Sequence, residues 1–319
     1  MTSRTPQTEP PRGARRKNEL DTFDAALIRE LQNDGRASTQ TLATRLGATR
    51  DVVAARLKTL TERGGLRIVA ALDPGFVGHR LLVHAKAEVD GPLAPIAREI
   101  AELPDAVFVS MASGPFPLVF ETRHGDIHEL HETLEYARQL PGVRRIIVST
   151  YVEVLKGFFV SHQKSSVTLD RIDYELVAAL QQDGRASYRN LADTVHLSPS
   201  AARARVHRLI DAGVIRISTI KSGGILRSRL AIGVGITVNG DAAPVRQYIV
   251  DSPDIDFAAR AHGSFDFVAT MVGSSPEHLV GVMDELRALP GVSALDSWTH
   301  YDVIKEDYAR TLGRVLVKQ

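Results

Sequence analysis

The run Leu180-Gln181-Gln182-Asp183-Gly184-Arg185-Ala186-Ser187 occurs a second time, with one residue changed, as Leu31-Gln32-Asn33-Asp34-Gly35-Arg36-Ala37-Ser38, 149 positions earlier. The same offset relates Leu42-Ala43 to Leu191-Ala192, Gly64 to Gly213, Gly114 to Gly263, and Pro141-Gly142-Val143 to Pro290-Gly291-Val292. One duplicated unit accounts for all of these pairs, roughly Leu20 to His162 and then Leu169 onward. At about 150 residues the unit is too long for a solenoid repeat and has the size of a domain pair.

Each copy opens with helical periodicity. Phe23, Leu27, Ile28 and Leu31 form one apolar stripe, and Ile172, Leu176, Val177 and Leu180 form its equivalent. Asp-Gly ends the helix, with Gly35 and Gly184 expected in the left-handed position past its last turn. Ser38 and Ser187 are expected to cap a short second helix. A third follows, capped in the second copy by Ser198 with Pro199 at the first helical position, which needs no donor. Gly64 and Gly213 are expected to close it, and a short apolar strand comes next. Three short helices and a strand make a winged helix-turn-helix pattern.

The period then changes. Val83, Ala85, Ala87 and Val89 alternate, as do Ile232, Val234, Ile236 and Val238, which predicts half-buried strands. The remaining elements run helix, strand, strand, helix, strand, so each copy ends in a ferredoxin-like βαββαβ sheet with helices on one face. Its bare face has to be covered, and a second copy does so. The expected class is α+β, two tandem copies of a winged helix-turn-helix followed by a ferredoxin-like effector and dimerisation domain. The expected divisions are a disordered basic arm at 1–18, winged helices at 19–72 and 169–222, ferredoxin-like domains at 78–162 and 226–305, a linker at 163–168 and a C-terminal tail at 306–319.

Composition narrows the function. The 319 residues are 44% hydrophobic and 24% charged, with no run apolar enough for a membrane span and no signal-peptide core, so a cytoplasmic, nucleoid-associated protein is expected. Cysteine is absent, which excludes disulfides and thiolate metal sites. Net charge is only +1, yet residues 45–67 hold six Lys/Arg against two acids, and residues 194–216 four against one. Positive charge is concentrated on the third helices, where a duplex would lie. Ser198, Ser200, Arg203, Arg205 and Arg208 fall off the apolar stripe of the second copy's helix, and Thr49, Arg50, Asp51, Arg56 and Lys58 off the first. These are the expected contacts to double-stranded DNA, projecting as a cationic ridge.

Taken together, Asp173, the octapeptide, Leu197-Ser-Pro-Ser, the run Arg205-Val-His-Arg-Leu-Ile-Asp-Ala-Gly-Val-Ile, Gly263-Ser-Phe-Asp266-Phe and Leu289-Pro-Gly-Val292 resemble the Lrp/AsnC (feast/famine) regulators, covered twice by this chain. The resemblance implies an effector domain that binds an amino acid or related small metabolite between dimers, near the loop His262, Gly263, Ser264, Phe265 and Asp266. In that site a carboxylate would take an ammonium and backbone N–H groups a carboxylate. Gly114 marks the equivalent loop in the first copy, where Pro117 stands near the matching position and no acid does. The resemblance also implies homo-oligomers built through the ferredoxin-like domains. No enzymatic role, cofactor or metal is expected. His124, His128 and His131 read as a solvated helix face, and Trp298 and His300 as packing. Two alternatives share the pattern: a siroheme decarboxylase, with His and Arg around a tetrapyrrole, and an architectural DNA-binding protein.

Overall fold

The structure, a computed structural model, describes residues 12–63, 65–157, 167–221, 230–273 and 275–306. In the first copy these form α1 (Arg12–Asn33), α2 (Thr39–Leu46), α3 (Arg50–Glu62), β1 (Leu66–Leu72), β2 (Leu81–Val89), α4 (Leu93–Glu102), β3 (Ala106–Ala112), β4 (Leu118–His124), α5 (Ile127–Gln139) and β5 (Val143–Lys156). The second copy supplies α6 (Arg171–Gln182), α7 (Tyr188–Val195), α8 (Pro199–Asp211), β6 (Ile215–Lys221), β7 (Leu230–Val238), α9 (Ala243–Asp251), β8 (Ile255–Gly263), β9 (Phe267–Gly273), α10 (Pro276–Ala288) and β10 (Val292–Glu306). The expected arm at 1–18 is corrected at its far end, because α1 already runs from Arg12. Residues 1–11, Gly64, most of the expected linker and residues 307–319 lie outside the described residues.

Three caps are where the sequence puts them: Ser38 accepts from the Thr41 amide, Ser187 from Asn190 and Ser198 from Ala201. Thr49, expected only as a DNA contact, also caps α3 by accepting from Val52. Gly35 and Gly184 are a correction. Neither is left-handed; each is glycine because the opposite copy passes too close for a side chain. A β-carbon on Gly35 would lie 2.6 Å from the Ile217 carbonyl oxygen, and one on Gly184 3.0 Å from that of Ile68. Both amides donate to those same oxygens, at 3.1 and 2.7 Å.

The contact arises because β1 and β6 pair antiparallel along their whole length, from Leu66 with Lys221 to Leu72 with Ile215. The two helix-turn-helix units thereby share one core, in which Leu27, Leu31, Leu42 and Leu60 join Leu176, Leu180, Leu191 and Leu209. Each such leucine contributes about 1.5–3 kcal/mol by leaving water, so the units are held as one body. Arg36 donates to the carbonyls of Gly184 and Ala186 at 2.7 and 3.0 Å, and Arg185 reciprocates to Gly35 and Ala37 at 3.0 and 2.9 Å. Burial, with the neighbouring Arg36, lowers the Arg185 pKa, a measure of what this clasp costs electrostatically.

The ferredoxin-like sheets also meet within the chain. Their strands close into a barrel in the order β10-β3-β4-β2-β5-β8-β9-β7. The long strands β5 and β10 weld the copies, β5 pairing with both β2 and β8, and β10 with both β7 and β3. Helices cover the outside, over one core built on Ala85, Ile96, Ile100 and Phe120 and another on Val234, Ile249, Phe267 and Leu286. The faces expected to need a second copy turn inward and line a lumen.

Candidate nucleic-acid interface and barrel lumen

The third helices α3 and α8 present unlike surfaces. On α3, Thr49, Arg50, Asp51 and Lys58 are exposed; on α8, Ser198, Ser200, Arg203, His207 and Arg208 are exposed. Thr49 and Ser198 spend their hydroxyls on the cap, and Ser198 also bonds Ser200 at 3.0 Å. Arg203 lies over the Tyr188 ring, 5.8 Å from its centroid, and the Tyr188 hydroxyl meets His207 Nε2 at 3.3 Å. His207 occupies the position of Lys58 in the other copy; a histidine in an alternating polar stretch carries no sign of that role until the helix is aligned on its duplicate.

The uniform cationic ridge is a second correction. Arg56 and Arg205 are half-buried and turn back to the first helix of their own unit. Arg205 reaches Asp170 at 2.8 Å and Asp173 at 2.9 Å, Arg208 reaches Asp173 at 2.5 Å, and Arg56 forks onto Asp24. The reason is Asp173, fully buried at 0% exposure, whose carboxylate also closes a capping box with Asp170. A buried carboxylate needs partners, and α8 supplies the nearest cations. Hydrogen bonds donated to Asp170, then to Asp173, raise the Arg205 pKa. The surface left for phosphates and bases is therefore Arg50 and Lys58 on α3, and Arg203, His207 and the outer part of Arg208 on α8.

The glycine loop between β8 and β9 packs on β5. A β-carbon on Gly263, whose φ is 132°, would lie 2.5 Å from the Val148 carbonyl oxygen. The Ser264 amide donates to Ser149 Oγ at 3.2 Å, and His262 pairs with Thr150. Asp266 accepts from the Val238 amide through Oδ2 at 2.7 Å. Gly114, in the first copy, has open space around it. His124 ends β4 rather than beginning a helix, is buried, and bonds Thr122 through Nε2 at 2.8 Å, so it does not share a face with His128 and His131 on α5. Among the described residues no cluster of three or more His, Asp or Glu has a geometry for a metal ion.

The lumen is more polar than a strand alternating apolar and polar suggests, since the residues that should meet solvent meet the opposite sheet instead. His84 and Lys86 are 4% and 5% exposed. Lys86 Nζ stands 4.1 Å from the Trp298 ring centroid and 3.8 Å from Asp296; burial lowers its pKa, which Asp296 partly offsets. Tyr151 donates to Glu121 at 2.6 Å, with His84 Nδ1 3.8 Å from the same carboxylate oxygen. His300 bonds Ser110 at 2.9 Å, and burial, with His84 nearby, pushes its pKa down to about 4. A cavity of about 500 Å³ is lined here by His84, Phe108, Glu121, Phe257, Trp298 and His300, and it opens beside Arg29, Gln32, Arg216 and Ser218 of the helix-turn-helix pair. Trp298 and His300, expected as packing, thus wall a cavity. The missed signal is comparative: at strand positions facing away from the helices, copy one has His84 and Lys86 where copy two has Gly233 and Gly235.

Among the described residues no helix is long and apolar enough to cross a membrane. The AsnC-type helix-turn-helix domain matches residues 20–61 and again 169–210, which are the two α1–α3 and α6–α8 units. An uncharacterized HTH-type transcriptional regulator of Pyrococcus abyssi is 30% identical over 160 residues, 47% of this chain and 97% of that protein. The HTH-type transcriptional regulator FL11 of Pyrococcus horikoshii is 28% identical over 140 residues, 42% of this chain and 93% of that protein. In fold, the siroheme decarboxylase NirDL, solved with an iron-uroporphyrin III analogue, superposes with a TM-score of 0.60 at 16% identity, covering 93% of this chain and 99% of that one. That likeness extends over both copies and is one of fold. Each regulator covers about half the chain, as expected of single-unit relatives of a duplicated protein. With the helix-turn-helix pattern matched twice and nearly the whole of a regulator matched at 30% identity, the chain belongs to the Lrp/AsnC (feast/famine) family of DNA-binding transcriptional regulators, in a tandem duplicated form.

Proposed function

We propose that the chain is a sequence-specific regulator that carries both halves of a DNA-reading dimer in one polypeptide and reads two unlike half-sites. The observation that carries this reading is the β1–β6 pairing, which holds α3 and α8 as one body while their exposed faces differ: Arg50, Asp51 and Lys58 against Ser200, Arg203 and His207. Paired reading helices enter successive major grooves about 34 Å apart. Unlike helices therefore favour an asymmetric operator, with Arg203 and the exposed arginines supplying base contacts and Lys58 a phosphate contact. Footprinting on the upstream region of its own gene tests this. Arg203→Ala should weaken protection in one half-site and Lys58→Ala in the other; equal loss across a symmetric footprint rules out two different readers. A footprint equally strong on unrelated DNA would instead mark an architectural protein.

The regulator responds, on this proposal, to an amino acid or related small metabolite, and assembles further through the outer faces of the barrel. His262, Gly263, Ser264 and Asp266, with Gly114 in the equivalent loop of the first copy, are the residues that family position offers for the metabolite. Asp266→Asn keeps an oxygen for the Val238 amide and removes the charge, so calorimetry with a panel of amino acids on this variant separates ligand contact from loop support. A second reading rests on the imidazoles of His84 and His300 in the lumen: a tetrapyrrole enzyme of the same fold. Absorbance of the purified protein with added siroheme tests it, a bound spectrum favouring the enzyme and a free one the regulator.

A further inference from the structure

We propose that the barrel lumen is a binding site for a planar nitrogen heteroaromatic molecule, gripped between Trp298, Phe108 and Phe257 and hydrogen-bonded by His84 and the Trp298 indole. That its occupant is the regulator's effector rests on the reading above; that the lumen binds such a ring does not.

Two observations carry the site. The first is a set of orphaned polar atoms. His84 Nδ1 and Nε2 and Trp298 Nε1 are buried without a hydrogen-bond partner among the described residues, and both side chains line the cavity. Leaving such groups unsatisfied carries their desolvation penalty uncompensated, a loss a ligand edge removes. The second is asymmetry. Where copy one has His84 opposite Ser149, copy two has Gly233 opposite Trp298. A β-carbon on Gly233 would overlap the indole, and one on Gly235 would lie 2.5 Å from the Phe265 ring. Glycine in mid-strand weakens a sheet, so the two glycines are placed where they admit rings into the lumen from one side only. Glu121 is matched by Thr270, and Tyr151 by His300. The result is one off-axis pocket in place of two identical ones.

The chemical class follows from the walls. Flat rings bound the cavity, with His84 5.6 Å from Trp298, and Phe108 5.6 Å from His300, between centroids. Rings of this kind select a planar guest. The indole N–H only donates, whereas a neutral imidazole donates at one nitrogen and accepts at the other. The guest edge must therefore carry acceptors and a donor side by side, as the ring N and N–H groups of purines do. His300 stays neutral, and Glu121 already accepts from Tyr151.

The cavity mouth suits an effector. Arg216 donates to Gly157 at the end of β5 and to Gln32 at the end of α1, at 2.9 and 3.0 Å, and Ser218 also donates to Gln32 at 3.1 Å. A guest seated there touches the seam between the barrel and the DNA-reading pair.

Trp298 is the chain's one tryptophan, so its emission reports the lumen alone. Adenine, hypoxanthine and uracil are titrated into the full chain while Trp298 fluorescence and the melting temperature are followed. The expected result is saturable quenching with at least one of them, a raised melting temperature, and affinity at least tenfold weaker in His84→Ala. Thr270→Phe, which fills the cavity from β9, should abolish binding and covers the case in which His84→Ala does not fold. No response to any of the three, binding unchanged in Thr270→Phe, or occupancy by siroheme alone overturns the proposal. Operator retention measured in parallel keeps the two readings apart: wild-type protein that binds the ring and ignores DNA leaves the lumen site standing and removes the regulator, and the converse removes only the lumen site.

Discussion

The DNA-reading pair and the barrel lumen are built by the same duplication and have opposite relations to it. In the reading pair the copies repeat the contacts that hold them: Gly35 with Gly184, Arg36 with Arg185, Asp24–Arg56 with Asp173–Arg205. In the lumen they part: His84 against Gly233, Lys86 against Gly235, Ser149 against Trp298, Tyr151 against His300. Identical subunits place every near-axis residue in duplicate. Two copies of Lys86 would then repel across one small space, and two copies of Trp298 would not fit it. A tandem chain escapes that constraint, retaining symmetry where the halves must interlock and shedding it where they enclose a volume.

The sharpest way to break the contrast is to restore symmetry inside the lumen. Gly233→Val drives a side chain into Trp298 and should cost about 3 kcal/mol or more, read as a lowered urea midpoint at unchanged m-value. Adding Trp298→Ser, the residue copy one has at Ser149, should recover much of the loss, and no recovery would show that Gly233 serves the backbone rather than the ring. Acid tests the same region. His300 titrates near 4 in the native protein against 6.5 in a free chain. Above pH 6.5 it is neutral in both states; as pH falls toward 4 only the unfolded chain takes the proton, so stability drops through that window by on the order of 3 kcal/mol. His79 and His124, also lowered by burial, act in the same direction. His300→Gln should therefore flatten the acid limb in part, which denaturation at stepped pH measures.

Perturbing the symmetric region should reveal smaller effects. Asp173→Ala removes the buried partner of Arg205 and Arg208 and is expected to cost about 2 kcal/mol, less than a sealed buried pair because both arginines can turn to water. Asp24→Ala, whose carboxylate is 15% exposed against 1% for Asp173, should cost less, and chemical denaturation of the two variants ranks them. The smallest effect is on DNA. Arg203→Ala is expected to weaken operator binding by about 1 kcal/mol and relax specificity at the base pair it contacts, with the melting temperature unchanged. An altered melting temperature would place Arg203 in the fold rather than at the duplex.

Much of this was legible in residue order. The offset of 149, the Ser38, Ser187 and Ser198 caps and the change of period after the wing place nearly every element. Side-chain direction was less so. Arg56 and Arg205 lie off the apolar stripe of their helices, as DNA contacts should, but a helix has flanks as well as an outer face, and Asp24 and Asp173 wait on those flanks. Gly35 and Gly184 look like helix stops because their neighbours are turn formers; their actual constraint is a strand more than a hundred residues away in the other copy.

What the sequence determined by itself is everything governed by neighbours along the chain: which segments coil or extend, where they are capped, and that the whole is made twice. Tertiary structure decided which polar residues are wet. Alternation along β2 assigns His84 and Lys86 to the face away from the helices, and only closure of the two sheets into a barrel makes that face an interior, because burial depends on what arrives from far away in the chain and not on the residues alongside.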